Sequence, residues 1–185
     1  MNNKHSTLGF DKIYVINLKR RLDRRTALEE KYPYLDFTFI EAIDGKKLKI
    51  QDLIYKGELS KSFFDPHGMV TMGVFACALS HKKAWDQALQ DGVENALFLE
   101  DDVFLYNKCV EENQYTNEYE DILNEIQSHD WDLLHLGKKK SQVFGMNVGK
   151  YLTVPKFNNN YEGAHAYVAT KEMIDTLSNN YLPVK

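Results

Sequence analysis

Cysteine is nearly absent: Cys77 and Cys109 are the only two in 185 residues. Cys77 also falls inside an apolar helical pattern, so neither a disulfide scaffold nor a cysteine zinc site is expected and a reducing compartment is. Proline is equally scarce, with four residues, and no proline-rich, glycine-rich or low-complexity tract divides the chain, so residues 1–185 are expected to form one domain. No stretch approaches the ~20 apolar residues of a membrane span, and Met1-Asn2-Asn3-Lys4-His5 lacks the apolar core of a secretory signal. The expectation is a cytoplasmic protein with no transmembrane segment. Positive charge is not in excess either. Lys and Arg number 23 against 27 Asp and Glu, a formal charge of -4, which argues against a general nucleic-acid binder but leaves room for a local basic patch facing a small anion.

What is present centres on residues 96–102, Ala-Leu-Phe-Leu-Glu-Asp-Asp. A four-residue apolar run after a helix that Gly92 can terminate suits a strand buried on both faces of a parallel sheet. It stops at three consecutive carboxylates. Ligands of open α/β sheets collect at the carboxyl ends of strands, and clustered acids repel one another unless a cation compensates them. If the strand stays extended, Glu100 and Asp102 point to one side, with Cα atoms roughly 6.6 Å apart, and Asp101 to the other. Glu100 and Asp102 are therefore the expected ligands of a hard divalent ion, Mn²⁺ or Mg²⁺. The plainer reading is a solvated acidic turn.

Residues 12–18 are β-branched and apolar enough for a first strand, followed by Lys19-Arg20-Arg21-Leu22-Asp23-Arg24-Arg25 at the start of a helix. Five cations face one local acid, Asp23, with Glu29 able to answer Arg25, so most look unpaired. A subset of the arginines is expected to hold a diphosphate, for which a planar guanidinium is suited; a solvated basic face is the alternative. Residues 36–43 form a second strand, ended by Asp44-Gly45. Asp44 reads first as a turn residue and second as a hydrogen-bond acceptor for a ribose or base. Residues 50–55 suggest a short helix and 62–72 a loop.

From 73 to 89 the period is helical, placing Val74, Cys77, Ala78, His81, Trp85, Ala88 and Leu89 on one face. His81 among apolar residues reads as a core histidine with one hydrogen bond, and Ser80 as a helix-edge hydroxyl. Residues 111–125 suggest a polar surface helix ending near Ser128. Residues 131–137 suggest another buried strand, with Lys138-Lys139-Lys140 a solvated loop more readily than a phosphate contact. Residues 151–155 are a peripheral strand, 157–163 are turn-rich, and 164–169 return to the sheet before a helix capped by Thr170. Strands alternating with helical patterns mean an α/β layered sheet.

Three of these stretches together, Ile13-Tyr14-Val15-Ile16-Asn17-Leu18 with Arg20, Arg21 and Arg24, then Gly73-Val74-Phe75-Ala76-Cys77-Ala78-Leu79-Ser80-His81, then residues 97–103, resemble glycosyltransferase family 25 in order and spacing. The likeness extends to Gly163-Ala164-His165-Ala166-Tyr167. That family includes bacterial lipopolysaccharide glycosyltransferases and procollagen galactosyltransferases. The resemblance implies a GT-A-type nucleotide-sugar-binding fold with a mostly parallel central sheet flanked by helices. It further implies a UDP-sugar donor, Mn²⁺ or Mg²⁺ at the acidic motif, and transfer of a hexose, galactose or glucose, to a hydroxyl acceptor with inversion. The acceptor would be a glycan, lipopolysaccharide or collagen-like hydroxylysine. Carried onto this chain, it makes Asn17, Arg20, Arg21, Arg24, Asp44, Ser80, His81 and Asp101 donor-binding residues and Glu100 and Asp102 metal ligands. Compared with the family pattern, the chain ends at Leu182-Pro183-Val184-Lys185, before a further acidic segment. This leaves the catalytic base unassigned, with Glu162 and His165 as candidates. A non-catalytic module that binds UDP-sugar and metal is the alternative. A metal-dependent nucleotidyltransferase is a third, disfavoured because no glycine-rich phosphate loop follows the first strand.

Overall fold

In the computed structural model the described residues are 4–59, 71–105, 110–111, 114–136, 145–155 and 164–180. Outside them lie most of the expected 62–72 loop, the triple lysine 138–140, Cys109, and the turn-rich segment 157–163 with Glu162.

The elements in chain order are β1 (Lys12–Asn17), α1 (Leu22–Lys31), β2 (Phe37–Glu41), α2 (Ile50–Tyr55), α3 (Met72–Asp91), β3 (Asn95–Glu100), β4 (Val110–Glu111), β5 (Gln114–Tyr115), α4 (Asn117–Gln127), β6 (Leu133–His135), β7 (Gly145–Asn147), β8 (Thr153–Pro155), β9 (Ala166–Thr170) and α5 (Lys171–Asn180). Five strands make the central sheet in the order β2-β1-β3-β9-β6. β1 pairs in parallel with both β2 and β3, whereas β9 is antiparallel to β3 and to β6. Four strands thus run one way and β9 alone runs back. The expectation of a mostly parallel sheet holds for strand direction but for only half of the neighbour pairings, because β9 is inserted between β3 and β6.

The central strands alternate between two cores, as a pleated strand covered on both faces must. Ile13, Val15, Leu97, Leu99 and Val168 pack on one face with Leu28 of α1 and, at the edge of the cluster, Leu123 of α4. Tyr14, Ile16, Phe98, Tyr167 and Ala169 pack on the other with Ala84, Trp85 and Ala88 of α3 and Ile174 of α5. Both helix stops and starts are chemically specified. Gly92, at φ 70°, closes α3 through N–H bonds to the carbonyls of Ala88 and Leu89. The Thr170 hydroxyl accepts from Met173 N–H at 3.4 Å and opens α5.

Three expectations shift. α3 buries Phe75, Ala76, Leu79, Ser80, His81, Ala84, Trp85 and Ala88, while Val74 and Cys77 are exposed. Its first two turns face a third apolar cluster with Leu53 and Leu59 rather than the sheet, which rotates the buried stripe away from Val74. The helix expected over 111–125 starts only at Asn117, capped by Thr116 (3.3 Å to Tyr119 N–H); Val110–Glu111 and Gln114–Tyr115 pair as two short strands instead. β6 is not a buried strand but a sheet edge, with Leu133 and His135 exposed. Its hydrogen-bonded neighbour in the sheet is β9, and among the described residues no strand pairs with its other side.

Candidate active site

β1, β2 and β3 end together at their carboxyl termini, beside the N-terminus of α3. A cavity of about 600 Å³ opens there, lined by Arg20, Arg24, Asp44, Cys77, Ser80 and the triplet Glu100, Asp101 and Asp102, with Thr71–Gly73 at its rim. The size suits a small-molecule ligand. The N-terminus of α3, where the Thr71 hydroxyl caps Val74 N–H at 3.4 Å, adds the positive end of the helix dipole at that rim.

The three acids are held differently. The strand ends at Glu100, and Val103 N–H then bonds to the Glu100 carbonyl at 3.3 Å, so the chain turns. The extended alternation that paired Glu100 with Asp102 therefore fails. Glu100 instead faces α3, accepting from Cys77 Sγ and lying 3.5 Å from His81 Nε2. The hydrogen bond from His81 holds its carboxyl below the usual range against the opposing effect of burial. Asp101 and Asp102 both turn to Arg24, at 2.5 and 3.1 Å. Asp101 also accepts from the Asn17 amide at 2.8 Å and is largely covered, whereas Asp102 keeps 55% of its side chain exposed.

The arginines are not unpaired. Arg20 binds Asp44 at 3.0 Å, Arg21 binds Asp23, Arg24 binds Asp101 and Asp102, and Arg25 binds Glu29. Two of these partners, Asp44 and the pair Asp101 and Asp102, lie far away in sequence, which is why a local count of acids missed them. Asp44 is drawn below the usual carboxylate range by Arg20 and by the Lys46 N–H. The Asp44-Gly45 turn has a second cause: a Cβ on Gly45 would meet the Met72 carbonyl oxygen at 2.6 Å. Gly45 lets the end of β2 lie against the start of α3.

Ser80 is not an edge hydroxyl. It is 1% exposed, donates to the Ala76 carbonyl at 2.6 Å and accepts from Ile43 N–H at 2.9 Å, so it joins α3 to the segment carrying Asp44. His81 is both a core residue and a partner of the acid triplet. It is buried, with Nδ1 2.9 Å from the Tyr167 hydroxyl and Nε2 toward Glu100; the same hydroxyl accepts from Trp85 Nε1 at 2.8 Å. Arg21 does not line the cavity, and Asn17 reaches it only through Asp101.

Cys77, placed by sequence on an apolar face and expected to form no zinc site, is exposed instead and lines the cavity. Its spacing of four from His81 on a helix, the spacing that stacks two side chains on one face, was the available signal of their proximity. Sequence reasoning passed over a second cavity of about 870 Å³ on the opposite face of the sheet, with Tyr34, Phe104, Tyr119, His135, Tyr151 and His165 in its wall and Glu100 and Asp102 at its border. The His165 carbonyl accepts from Glu100 N–H at 2.9 Å, which fixes that residue beside the triplet. Partial desolvation of the ring, then the nearby His165, keeps the His135 imidazole below its ordinary pKa.

No helix among the described residues is long and apolar enough to cross a membrane. The family model described as "Glycosyltransferase family 25 (LPS biosynthesis protein)" matches residues 10–184. Procollagen galactosyltransferase 2 of Mus musculus is 33% identical over 146 residues, covering 74% of this chain and 22% of that protein. Procollagen galactosyltransferase 1 of Danio rerio is likewise 33% identical, over 74% of this chain and 23% of its own length. A Homo sapiens protein named "Inactive glycosyltransferase 25 family member 3" is 29% identical over 142 residues, 73% of this chain and 23% of its length. The chain therefore spans less than a quarter of the curated relatives it matches. With the motifs gathered around one cavity and the family model matched over almost the whole length, the chain belongs to glycosyltransferase family 25.

Proposed function

We propose that the chain is a hexosyltransferase domain of GT-A type that moves galactose or glucose from a UDP-sugar to a hydroxyl acceptor, of glycan or hydroxylysine kind, with inversion. The observation that carries this reading is the first cavity, where the carboxyl ends of three parallel strands bring four carboxylates (Asp44 and the triplet), two arginines and a helix N-terminus together. The acid set suits Mn²⁺ or Mg²⁺. Its oxygens are hard donors, and Asp101 and Asp102 already converge on one cation, Arg24, whose single charge leaves one carboxylate uncompensated. Asp101, Asp102 and Glu100 are the residues that would hold the ion, which when bound neutralises the diphosphate as it departs.

The remaining work falls to the chain. Arg24 and Arg20 stand where the donor's diphosphate would lie and offer it bidentate donors. Asp44, oriented by Arg20, accepts from a ribose hydroxyl or from the uracil N–H. Ser80 and His81 position Asp44 and Glu100 rather than contacting the donor over a large area. The acceptor enters from the second cavity, whose aromatic walls suit the apolar face of a sugar and whose border at Glu100 and Asp102 places a hydroxyl beside the donor. His165, at that border, is the candidate base among the described residues.

A second reading, a domain that binds nucleotide sugar without turnover, is favoured by one finding: relatives of comparable identity carry the name inactive. Incubation with Mn²⁺ and a panel of UDP-sugars, with and without acceptors, separates the two. Nucleotide release supports transfer; Mn²⁺-dependent UDP binding without release selects the second reading. Neither binding nor release contradicts both.

A further inference from the structure

Cys77, His81 and Glu100 point to chemistry that the proposed transfer does not use. Cys77 and His81 are one helical turn apart on α3, and Glu100 ends the strand beneath them. Their ligating atoms, Sγ, a ring nitrogen and a carboxylate oxygen, all lie within 4.8 Å of one another. Both separations to Glu100 Oε1, from Cys77 Sγ and from His81 Nε2, are 3.5 Å. Metal bonds of roughly 2.0–2.3 Å at tetrahedral angles require ligand atoms about 3.3–3.8 Å apart, so these two edges of a tetrahedron already have the right length.

The surroundings complete the pattern. A histidine that ligates through Nε2 needs an oxygen at Nδ1 to fix its tautomer. The Tyr167 hydroxyl sits there at 2.9 Å, itself fixed by Trp85. A phenol can accept or donate, so it serves the ring in either tautomer. Cys77 is exposed and lines the first cavity, which provides an entry path and an open fourth position. A thiolate-containing set discriminates against Mg²⁺ and Mn²⁺ and favours borderline ions.

We propose that Cys77, His81 and Glu100 form a three-ligand site for a divalent transition metal of the Zn²⁺ class, distinct in donor chemistry from the hard-ion set Asp101, Asp102 and Glu100, with which it shares Glu100. Binding replaces the Cys77 S–H bond by an S–metal bond and releases the proton to solvent. An occupied site engages Glu100, so Zn²⁺ should weaken Mn²⁺-dependent UDP binding; this second consequence rests on the proposed function, while the site itself does not.

The test is a Co²⁺ titration of the whole chain, followed by the thiolate-to-cobalt charge-transfer absorption, with Zn²⁺ as competitor. One equivalent of Co²⁺ should produce the band and Zn²⁺ should remove it. Cys77→Ser should abolish the band and weaken Zn²⁺ binding by more than about 100-fold, beyond what loss of a ligand's hydrogen-bond partner costs. Cys109→Ser should leave both intact, and circular dichroism reports whether each variant is folded. A folded wild-type chain without the band, or a band that persists in Cys77→Ser or follows Cys109, overturns the site. A band with no effect of Zn²⁺ on UDP binding keeps the site and removes its coupling to the donor.

Discussion

The two cavities that meet at Glu100 and Asp102 are built on opposite physical terms. In the first, charges satisfy charges across elements: Arg20 with Asp44, Arg24 with Asp101 and Asp102. In the second, the wall is aromatic and aliphatic, and nearby tyrosines hold main-chain groups in place. Tyr119 donates to the Leu8 carbonyl at 2.9 Å, and Tyr32 both donates to the Leu105 carbonyl at 3.0 Å and accepts from Leu105 N–H at 2.9 Å. The difference teaches a division of labour. A charged ligand can displace ion pairs that are partly solvated and individually worth little, whereas an aromatic wall selects by shape.

The largest effect that would break this comparison lies within the acid triplet itself. Asp102→Asn should remove Mn²⁺-dependent UDP binding with almost no loss of stability, because Asp102 is half exposed and Arg24 keeps Asp101. Asp101→Asn should cost binding and stability together. Its carboxylate is nearly covered and serves both Arg24 and Asn17, so its loss should cost about 2 kcal/mol and lower the melting temperature by roughly 4–8 °C in a domain of this size. Calorimetry and thermal melts on both variants read the contrast, and equal melting temperatures would contradict it.

A smaller effect sharpens the other side. Tyr32→Phe removes both bonds to Leu105 without touching the first cavity. Acceptor KM should rise several-fold while UDP affinity stays unchanged; a parallel loss of UDP affinity would show that the two cavities are not separable. The smallest effect is remote from both. Asp91, at the far end of α3, is held at a pKa of about 2, below the ordinary 3.8, first by Lys12 and then by the Tyr14 hydroxyl. A depressed folded pKa stabilises above the unfolded value and stops doing so as pH falls through the folded one. Asp91→Asn should therefore melt about 2–4 °C below wild type near neutrality, for roughly 1 kcal/mol after solvent screening. The gap should close as pH falls from about 4 toward 2. A gap independent of pH would assign the effect to packing.

The legible parts of the chain were those in which a local pattern carries the structure. The apolar runs of β1 and β3 lie buried as expected, Gly92 ends α3, and Thr170 caps α5. Arg20, Arg24, Asp44, Ser80 and the triplet were all singled out from sequence, and the fold brings them to one cavity. What sequence could not show were partners and turns set by tertiary structure. The Val103 bond to Glu100 reverses the expected alternation of the acids. The acids that answer Arg20 and Arg24 arrive from the ends of β2 and β3. Glu125 of α4 collects the N–H groups of Lys150, Tyr151 and Leu152 and so anchors the β7–β8 hairpin, a contact no periodicity announces.

The central claim is that the first cavity takes a nucleotide-sugar donor through a cation held by the triplet. Isothermal titration of UDP into the wild-type chain, with Mn²⁺ and again with chelator, tests it most directly. The account predicts binding that requires Mn²⁺ and disappears in Asp102→Asn; equal UDP affinity with and without Mn²⁺, or undiminished Mn²⁺-dependent binding in that variant, would contradict it.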